Sequence, residues 1–165
     1  MASGPEIARG HPLAAGRGSG TAFVTDPVSF WGGISANDGT IIDVHHRDHG
    51  RSVAGTVLVM PVGRGSSSAS AVLAETLRLG VGPAAIVLAA PDIILAAGSV
   101  VARELYGIEC PIVELDAPSF EAVTARAGAQ LRVDASDDVA VIYELGAPST
   151  RGDDHPRRPS RPAGG

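Results

Sequence analysis

The sequence predicts one domain of the α/β class, in which helices flank a mixed and partly barrel-like sheet. From residue 53 onward, short apolar runs alternate with amphipathic stretches, as in consecutive β-α-β units. Glycine-rich strand patterns precede this region. The 165 residues are 44% hydrophobic but only 4% aromatic, so we expect a single core built from aliphatic side chains.

The composition divides the chain into three parts. Residues 1–15 show no sustained period and predict a flexible N-terminus. The folded domain is expected at residues 16–146. Residues 147–165 are rich in Pro, Gly and Arg and predict a disordered tail, because such a segment buries too little apolar surface to offset the entropy of ordering.

Strands are predicted where a short apolar run lies between turn residues. The run at residues 83–89 is apolar throughout, which is typical of a strand covered on both faces. Strands are expected at residues 21–24, 40–44, 53–60, 83–89, 111–115, 130–133 and 139–145.

Helices are predicted between the later strands. One follows Ser66 and has apolar residues at helical spacing. A second begins after Asp92, a favoured N-cap residue, and ends at Gly107. A third, shorter helix is expected at residues 119–127. The apolar face of the second helix is expected to carry Ile94, Ala97, Val101 and Leu105.

Charge and hydropathy exclude several functions. The formal net charge is −5, all 13 basic residues are Arg, and no basic stripe with interleaved aromatics occurs, which argues against nucleic-acid binding. No apolar run is long enough to span a membrane, and the first residues lack a signal-peptide core. We therefore expect a cytoplasmic protein without membrane contact.

Cys110 is the only cysteine of the chain. An internal disulfide is therefore excluded, and the chain cannot supply the several thiolates that normally hold an iron–sulfur cluster. The apolar neighbours of Cys110 predict a buried, structural thiol.

The junction at residues 62–70 is the most informative part of the sequence. It places two glycines, Arg64 and a run of serines between an apolar strand pattern and a helix pattern. Ser66 thereby lies where backbone N–H groups and the helix dipole favour negative charge. Its hydroxyl can cap the helix, which the local pattern favours, or it can bind an anion or accept a proton.

Two other patterns suggest ligand sites but fit them poorly. Gly63-Arg64-Gly65 begins like a dinucleotide fingerprint, yet Ser68 stands in place of the third glycine. The histidine-rich segment at residues 45–49 could direct only alternate side chains to a metal, and no second ligand group stands out elsewhere. We interpret it as a polar turn and expect no metal site in this chain.

Residues 27–33 place two aromatic side chains beside two glycines in a long loop. Aromatic residues in loops commonly line a pocket or an interface. Packing of the loop on its own domain is an equal alternative. The candidate pocket or interface residues are Ser29, Phe30, Trp31, Gly32 and Gly33.

Taken together, residues 27–33, 43–68 and 80–113 resemble the swivel domain, or small subunit, of the aconitase X proteins. The resemblance covers residues 16–117 and extends more loosely to residue 146. It implies a swivelling β/β/α domain that closes over a large catalytic subunit. The same resemblance implies that the iron–sulfur cluster belongs to the large subunit, which fits the single cysteine.

The resemblance also implies roles for the junction. In aconitases and isopropylmalate isomerases a Gly-Ser-Ser-Arg loop reaches the substrate, and its first serine removes a proton next to a carboxylate. The matching residue here is Ser66, which implies a catalytic Ser66. Beside it we expect Arg64, Gly65 and Ser67 to bind the substrate, although Arg64 precedes the loop and has no counterpart in that pattern. The arginine that ends that loop is absent, and Ser68 takes its place, so citrate and isopropylmalate are poor substrate candidates.

The resulting hypothesis is the small subunit of a heteromeric hydro-lyase, active only with its large subunit and holding no cofactor alone. The family comprises dehydratases, and the Ala-, Gly- and Arg-rich composition favours cis-3-hydroxy-L-proline over phosphomevalonate as the substrate. The partner's iron would act as a Lewis acid on the departing hydroxyl. The alternative, from another functional class, is a non-catalytic regulatory or binding module that retains the fold.

Overall fold

The computed structural model describes residues 4–146. Its strands are β1 (Glu6–Ala14), β2 (Gly16–Val24), β3 (Val57–Met60), β4 (Ala85–Leu88), β5 (Ile112–Glu114), β6 (Gln130–Ala135) and β7 (Ala140–Glu144). Its helices are α1 (Phe30–Gly33), α2 (Ala69–Arg78), α3 (Ile93–Tyr106) and α4 (Ala117–Thr124). None of the helices within the described range is long and apolar enough to cross a membrane.

Two sheets share the long strands β1 and β2. In one sheet β2, β3, β4 and β5 run parallel, and β1 pairs antiparallel with β5. In the other sheet β6 and β7 pair antiparallel with each other, with β6 beside β2 and β7 beside β1. The pairing order β1-β5-β4-β3-β2-β6-β7 returns to β1, which confirms the mixed and partly barrel-like sheet.

Two apolar clusters divide the core into three layers. Successive residues of β3 point to opposite clusters: Leu58 packs towards α2 and α3, and Val59 packs between the two sheets. Every residue of β3 and β4 is buried, as expected for parallel strands covered on both faces. The layers therefore follow the β/β/α order that the family resemblance implies.

Helix α3 has the ends that the sequence predicts. Oδ1 of Asp92 accepts hydrogen bonds from the N–H groups of Ile94 and Leu95, both at 2.9 Å. The helix ends at Gly107, whose φ of 67° lies in the left-handed region that favours glycine. These local signals fix where the helix starts and stops.

The face that α3 turns to the core differs from the prediction. Ala97, Val101 and Leu105 are exposed instead of buried. The helix is apolar on most sides, so its periodicity could not distinguish the core face from the outer face. The buried residues of α3 are Leu95, Ala96, Gly98, Ser99 and Ala102.

The expectation of a flexible N-terminus at residues 1–15 is wrong for β1 (Glu6–Ala14). The first part of β1 pairs with β7 and the second part pairs with β5. Both partner strands lie far along the chain, so β1 is stabilised by long-range pairings that its own local pattern does not reveal. The domain therefore begins with β1, before residue 16.

Residues 40–44 do not form the predicted strand. Thr40 and Ile41 take part only in isolated bridges. Ile41 is fully buried, whereas Ile42 and Val44 are exposed. The buried Ile41 side chain and the two isolated bridges thus hold this segment on the core as a loop.

The other predicted elements are present with shifted ends. The strand expected at residues 21–24 begins at Gly16 in β2, and the strand expected at residues 53–60 is shortened to β3. The short helix expected at residues 119–127 is α4 (Ala117–Thr124). The prediction of a disordered tail at residues 147–165 lies outside the described residues.

The parallel strands bring four loops to one edge. Because β2, β3, β4 and β5 run in the same direction, their C-terminal ends meet there. The segments that follow begin at Thr25, Pro61, Ala89 and Leu115. In parallel α/β sheets, ligands bind outside the C-terminal ends of the strands. A ligand site is therefore expected at this edge.

A chain that lacks residues 1–15 should lose its cooperative melting transition, because β5 and β7 would lose the strand between them. Circular dichroism melting measures this. Removal of residues 1–3 alone is the control and should leave the transition unchanged. A longer truncation that melts cooperatively at the full-chain temperature would contradict this role of β1.

Candidate functional site

The loop between β3 and α2 lies at the C-terminal edge of the parallel strands. Arg64 forms an isolated parallel bridge with Ser29, which belongs to the loop that follows β2. The next residue, Gly65, has a φ of 114°, a conformation that side-chain-bearing residues rarely adopt. The chain therefore turns sharply just before the serine run.

Neighbouring residues hold this loop closely on both sides. A Cβ atom at Gly65 would lie 2.1 Å from Oγ of Ser29, and one at Gly63 would lie 1.8 Å from Oδ2 of Asp92. A side chain at either position would force the Ser29 hydroxyl or the Asp92 carboxylate to move. The two glycines therefore allow the close approach of three loops.

Ser66 is not the N-cap of α2. That position belongs to Ser68, whose side chain makes no capping hydrogen bond. Oγ of Ser66 accepts only a long hydrogen bond, 3.3 Å, from the N–H of Ser68. Ser66 and Ser67 are both exposed. The Ser66 hydroxyl is therefore available to a ligand, next to a helix N-terminus.

The aromatic loop divides its two aromatic residues between two roles. Phe30 is fully buried in the core, while Trp31 is 58% exposed. Oγ of Ser29 accepts a hydrogen bond from the Trp31 N–H at 3.1 Å and donates one to the Trp31 carbonyl at 2.8 Å. Phe30 thus packs on its own domain, whereas the Trp31 side chain is left exposed.

A cleft of about 440 Å³ lies between the two loops. It brings together most of the residues predicted for the site, but Phe30, Ser66 and Ser67 do not line it. Pro27 and Asp43 also line it; both lie in segments that carry the family resemblance but were not among the predicted site residues. The lining residues are Pro27, Ser29, Trp31, Gly32, Gly33, Asp43, Arg64 and Gly65.

The cleft contains one charge of each sign. Arg64 is exposed and forms no ion pair with any residue between positions 4 and 146. One oxygen of Asp43, Oδ1, accepts a hydrogen bond from the His45 N–H at 3.0 Å. A bound anion can therefore pair with Arg64 through two parallel hydrogen bonds.

The histidine-rich segment is a polar turn organised by Asp48. Asp48 accepts hydrogen bonds from the Thr25 hydroxyl and from the guanidinium groups of Arg47 and Arg51, at 3.3 and 3.1 Å. Burial alone would raise its pKa, but these three hydrogen bonds outweigh it, so the pKa of Asp48 lies below its usual range. Nδ1 of His46 accepts from the Asp48 N–H.

Neither this turn nor the cysteine fits a metal or a cluster. Within residues 4–146 no three His, Cys, Asp or Glu side chains converge on one point. Cys110 is fully buried, as predicted, and burial raises the pKa of its thiol to about 12. A single buried thiol cannot supply the several thiolates that normally hold a cluster.

Comparison with known proteins agrees with the family resemblance of the sequence. The family model of the aconitase X swivel domain matches residues 7–142. A crystal structure of Thermococcus kodakaraensis aconitase X in its holo-form superposes with a TM-score of 0.70 and 28% identity, covering 87% of this chain and 100% of that chain.

Two relatives whose names state a dehydratase are similar in sequence. A cis-3-hydroxy-L-proline dehydratase of Pseudomonas aeruginosa is 46% identical over 101 residues, which are 61% of this chain but 17% of that protein. A phosphomevalonate dehydratase small subunit of Methanocella arvoryzae is 38% identical over 94 residues, which are 56% of this chain and 71% of that protein. The chain thus spans less than a fifth of the first relative and most of the second.

Replacement of Asp48 by Asn should lower the free energy of unfolding at neutral pH by about 1.5–3 kcal/mol, the contribution of hydrogen bonds to a charged group. Because the folded pKa is lowered, this contribution is complete above the unfolded pKa of about 4 and is lost as the pH falls through the folded value. Urea unfolding of both proteins between neutral and acidic pH measures it.

Asp26→Asn is the matched control for this experiment. Asp26 is exposed and lies 3.6 Å from Arg47, so its loss should change stability by less than about 1 kcal/mol. A stability difference between Asp48→Asn and the unmodified protein that stays constant down to acidic pH would contradict the ionised state of Asp48.

Proposed function

Because the chain belongs to the aconitase X swivel domain family, we propose that it is the swivel component of a hydro-lyase that removes water from a hydroxy acid. The relatives named above are dehydratases or dehydratase subunits, which supports this class of reaction. The proposed substrate is cis-3-hydroxy-L-proline, on the strength of the 46% identity to a dehydratase of that name. Phosphomevalonate is the second candidate, supported by the match to most of a small subunit.

Ser66 is the proposed base that removes the proton next to the substrate carboxylate. The observation that carries this role is the Ser66 hydroxyl, which is exposed just before the N-cap of α2 and makes only one long hydrogen bond. Backbone N–H groups of Ser67 and Ser68, together with the helix dipole, would stabilise the serine oxyanion.

The neighbouring residues are proposed to bind the substrate. Arg64 lines the cleft and has no ionic partner among residues 4–146, so it is available to a carboxylate. Gly65 lets the backbone approach closely, and Ser67 offers a second exposed hydroxyl. Together they would form an anion site beside the proposed base.

The iron–sulfur cluster expected in this family does not fit the described residues of this chain. The buried Cys110 and the absence of a converging ligand set within residues 4–146 both argue against it. We therefore propose that any cluster belongs to the large catalytic partner, and that this chain is active only when assembled with it.

Exposed apolar side chains at the same edge support such a partner. Trp31 lines the cleft, Val62 precedes the loop of the proposed base, and Ile93 begins α3 beside Asp92. Their exposed fractions are 58%, 40% and 80%. Apolar side chains around a polar cleft are typical of a surface that another protein covers.

The substitution Ser66→Ala should lower kcat of the assembled enzyme by about 10²-fold or more, because it removes the proposed base. It should leave melting nearly unchanged, because the hydroxyl makes only one long hydrogen bond. Turnover of cis-3-hydroxy-L-proline and phosphomevalonate by the co-purified pair, with melting measured in parallel, tests both expectations.

Ser68→Ala is the control, since the Ser68 side chain makes no capping hydrogen bond. It should retain most of the rate. An assembled Ser66→Ala enzyme that turns over at the unmodified rate would place the base elsewhere. An assembled pair without hydro-lyase activity on either substrate would favour a binding module that only retains the fold.

A further inference from the structure

Asp43 faces the same cleft as Arg64 and has no role in the mechanism given above. It lies in the loop after β2, whereas Arg64 lies in the loop after β3. The two loops thus bring a carboxylate and a guanidinium to the walls of one cleft. Such a pair complements a small molecule that carries both charges.

Both charges are available to a ligand. The hydrogen bond from the His45 N–H to Oδ1 of Asp43 fixes the carboxylate at the turn. Oδ2 accepts no hydrogen bond from any residue in the described range, and Asp43 is only half-buried. The Asp43 carboxylate is therefore oriented and retains a free oxygen.

Trp31 supplies an apolar wall to the same cleft. Its side chain is 58% exposed and lines the cleft together with Asp43 and Arg64. The face of an indole ring attracts cations and packs against small saturated rings. A cyclic ammonium would therefore meet both a carboxylate and an aromatic face.

We infer that Asp43 determines specificity by accepting a hydrogen bond from the ring ammonium of a zwitterionic substrate whose carboxylate binds Arg64. The inference rests on the proposed function for the identity of that substrate, cis-3-hydroxy-L-proline, which carries both charges on one ring. Phosphomevalonate carries only negative charges, so Asp43 would repel it. The cleft thus favours one of the two candidate substrates by attraction and disfavours the other by repulsion.

The single tryptophan of the chain makes the test direct, because Trp31 lies in the cleft. The full chain is titrated with three probes while Trp31 fluorescence is recorded. L-Proline carries both charges, tetrahydrofuran-2-carboxylate replaces the ammonium by an ether oxygen, and L-prolinamide removes the carboxylate. L-Proline should bind about 10-fold tighter than either single-charge probe, which corresponds to one charge-assisted hydrogen bond.

Substitutions of Asp43 and Arg64 test which part of the probe each charged side chain binds. Asp43→Asn should abolish the preference for L-proline over tetrahydrofuran-2-carboxylate, and Arg64→Gln should abolish the preference over L-prolinamide. Asp137→Asn, an exposed acid in the β6–β7 turn, is the matched control and should change neither preference. A chain that gives no saturable response, or an Asp43→Asn chain that keeps its preference, overturns the inference.

Kinetic measurements on the assembled enzyme test this inference and the proposed function separately. Asp43→Asn should raise KM for cis-3-hydroxy-L-proline by about 10-fold or more and should not raise KM for phosphomevalonate. If the unmodified pair dehydrates cis-3-hydroxy-L-proline but Asp43→Asn leaves KM unchanged, the inference fails and the proposed function stands. If the chain selects L-proline but the pair dehydrates neither substrate, the proposed function fails and the inference stands.

Discussion

The site depends on how closely the loop after β3 lies against the loop after β2. Gly65 approaches Ser29 so closely that a Cβ atom would lie 2.1 Å from the Ser29 hydroxyl oxygen. The bridge between Ser29 and Arg64 joins the two backbones at the same point. This contact directs Arg64 to the cleft and places the serine run at the start of α2. Without it, the loop that carries Arg64 and Ser66 would not be fixed against the loop that carries Trp31.

The rest of the fold makes this contact rigid. Every residue of β3 and β4 is buried, and Phe30 anchors the aromatic loop in the core with no exposed surface. Asp92 caps α3 with one oxygen and lies against Gly63 with the other, so the helix and the loop are positioned together. The serine loop is therefore held between α3 and the aromatic loop, both of which pack on the core. A rigid support of this kind suits a loop that must present a reactive hydroxyl.

The sequence predicts those parts of the fold that depend on residues close together in the chain. The junction of β3, the glycine loop and α2 was predictable because apolar runs, glycines and helix spacing lie next to each other in the chain. Strand β1 was not, because β5 and β7 stabilise it from far along the chain. Asp43 was not predicted as a site residue, because only the folded chain brings it to the same cleft as Arg64. The core face of α3 could not be chosen because the helix is apolar on both sides.

The most direct test of the close contact compares Gly65→Ala with Gly50→Ala in the assembled enzyme. Both glycines have positive φ, 114° and 86°, but only a Cβ at Gly65 would meet a neighbour. Gly50→Ala should therefore lower stability by about 1–2 kcal/mol through backbone strain and leave the rate unchanged. Gly65→Ala should also displace the serine loop and lower kcat by about 10²-fold. A Gly65→Ala enzyme that loses only stability and keeps its rate would contradict the dependence of the site on this contact.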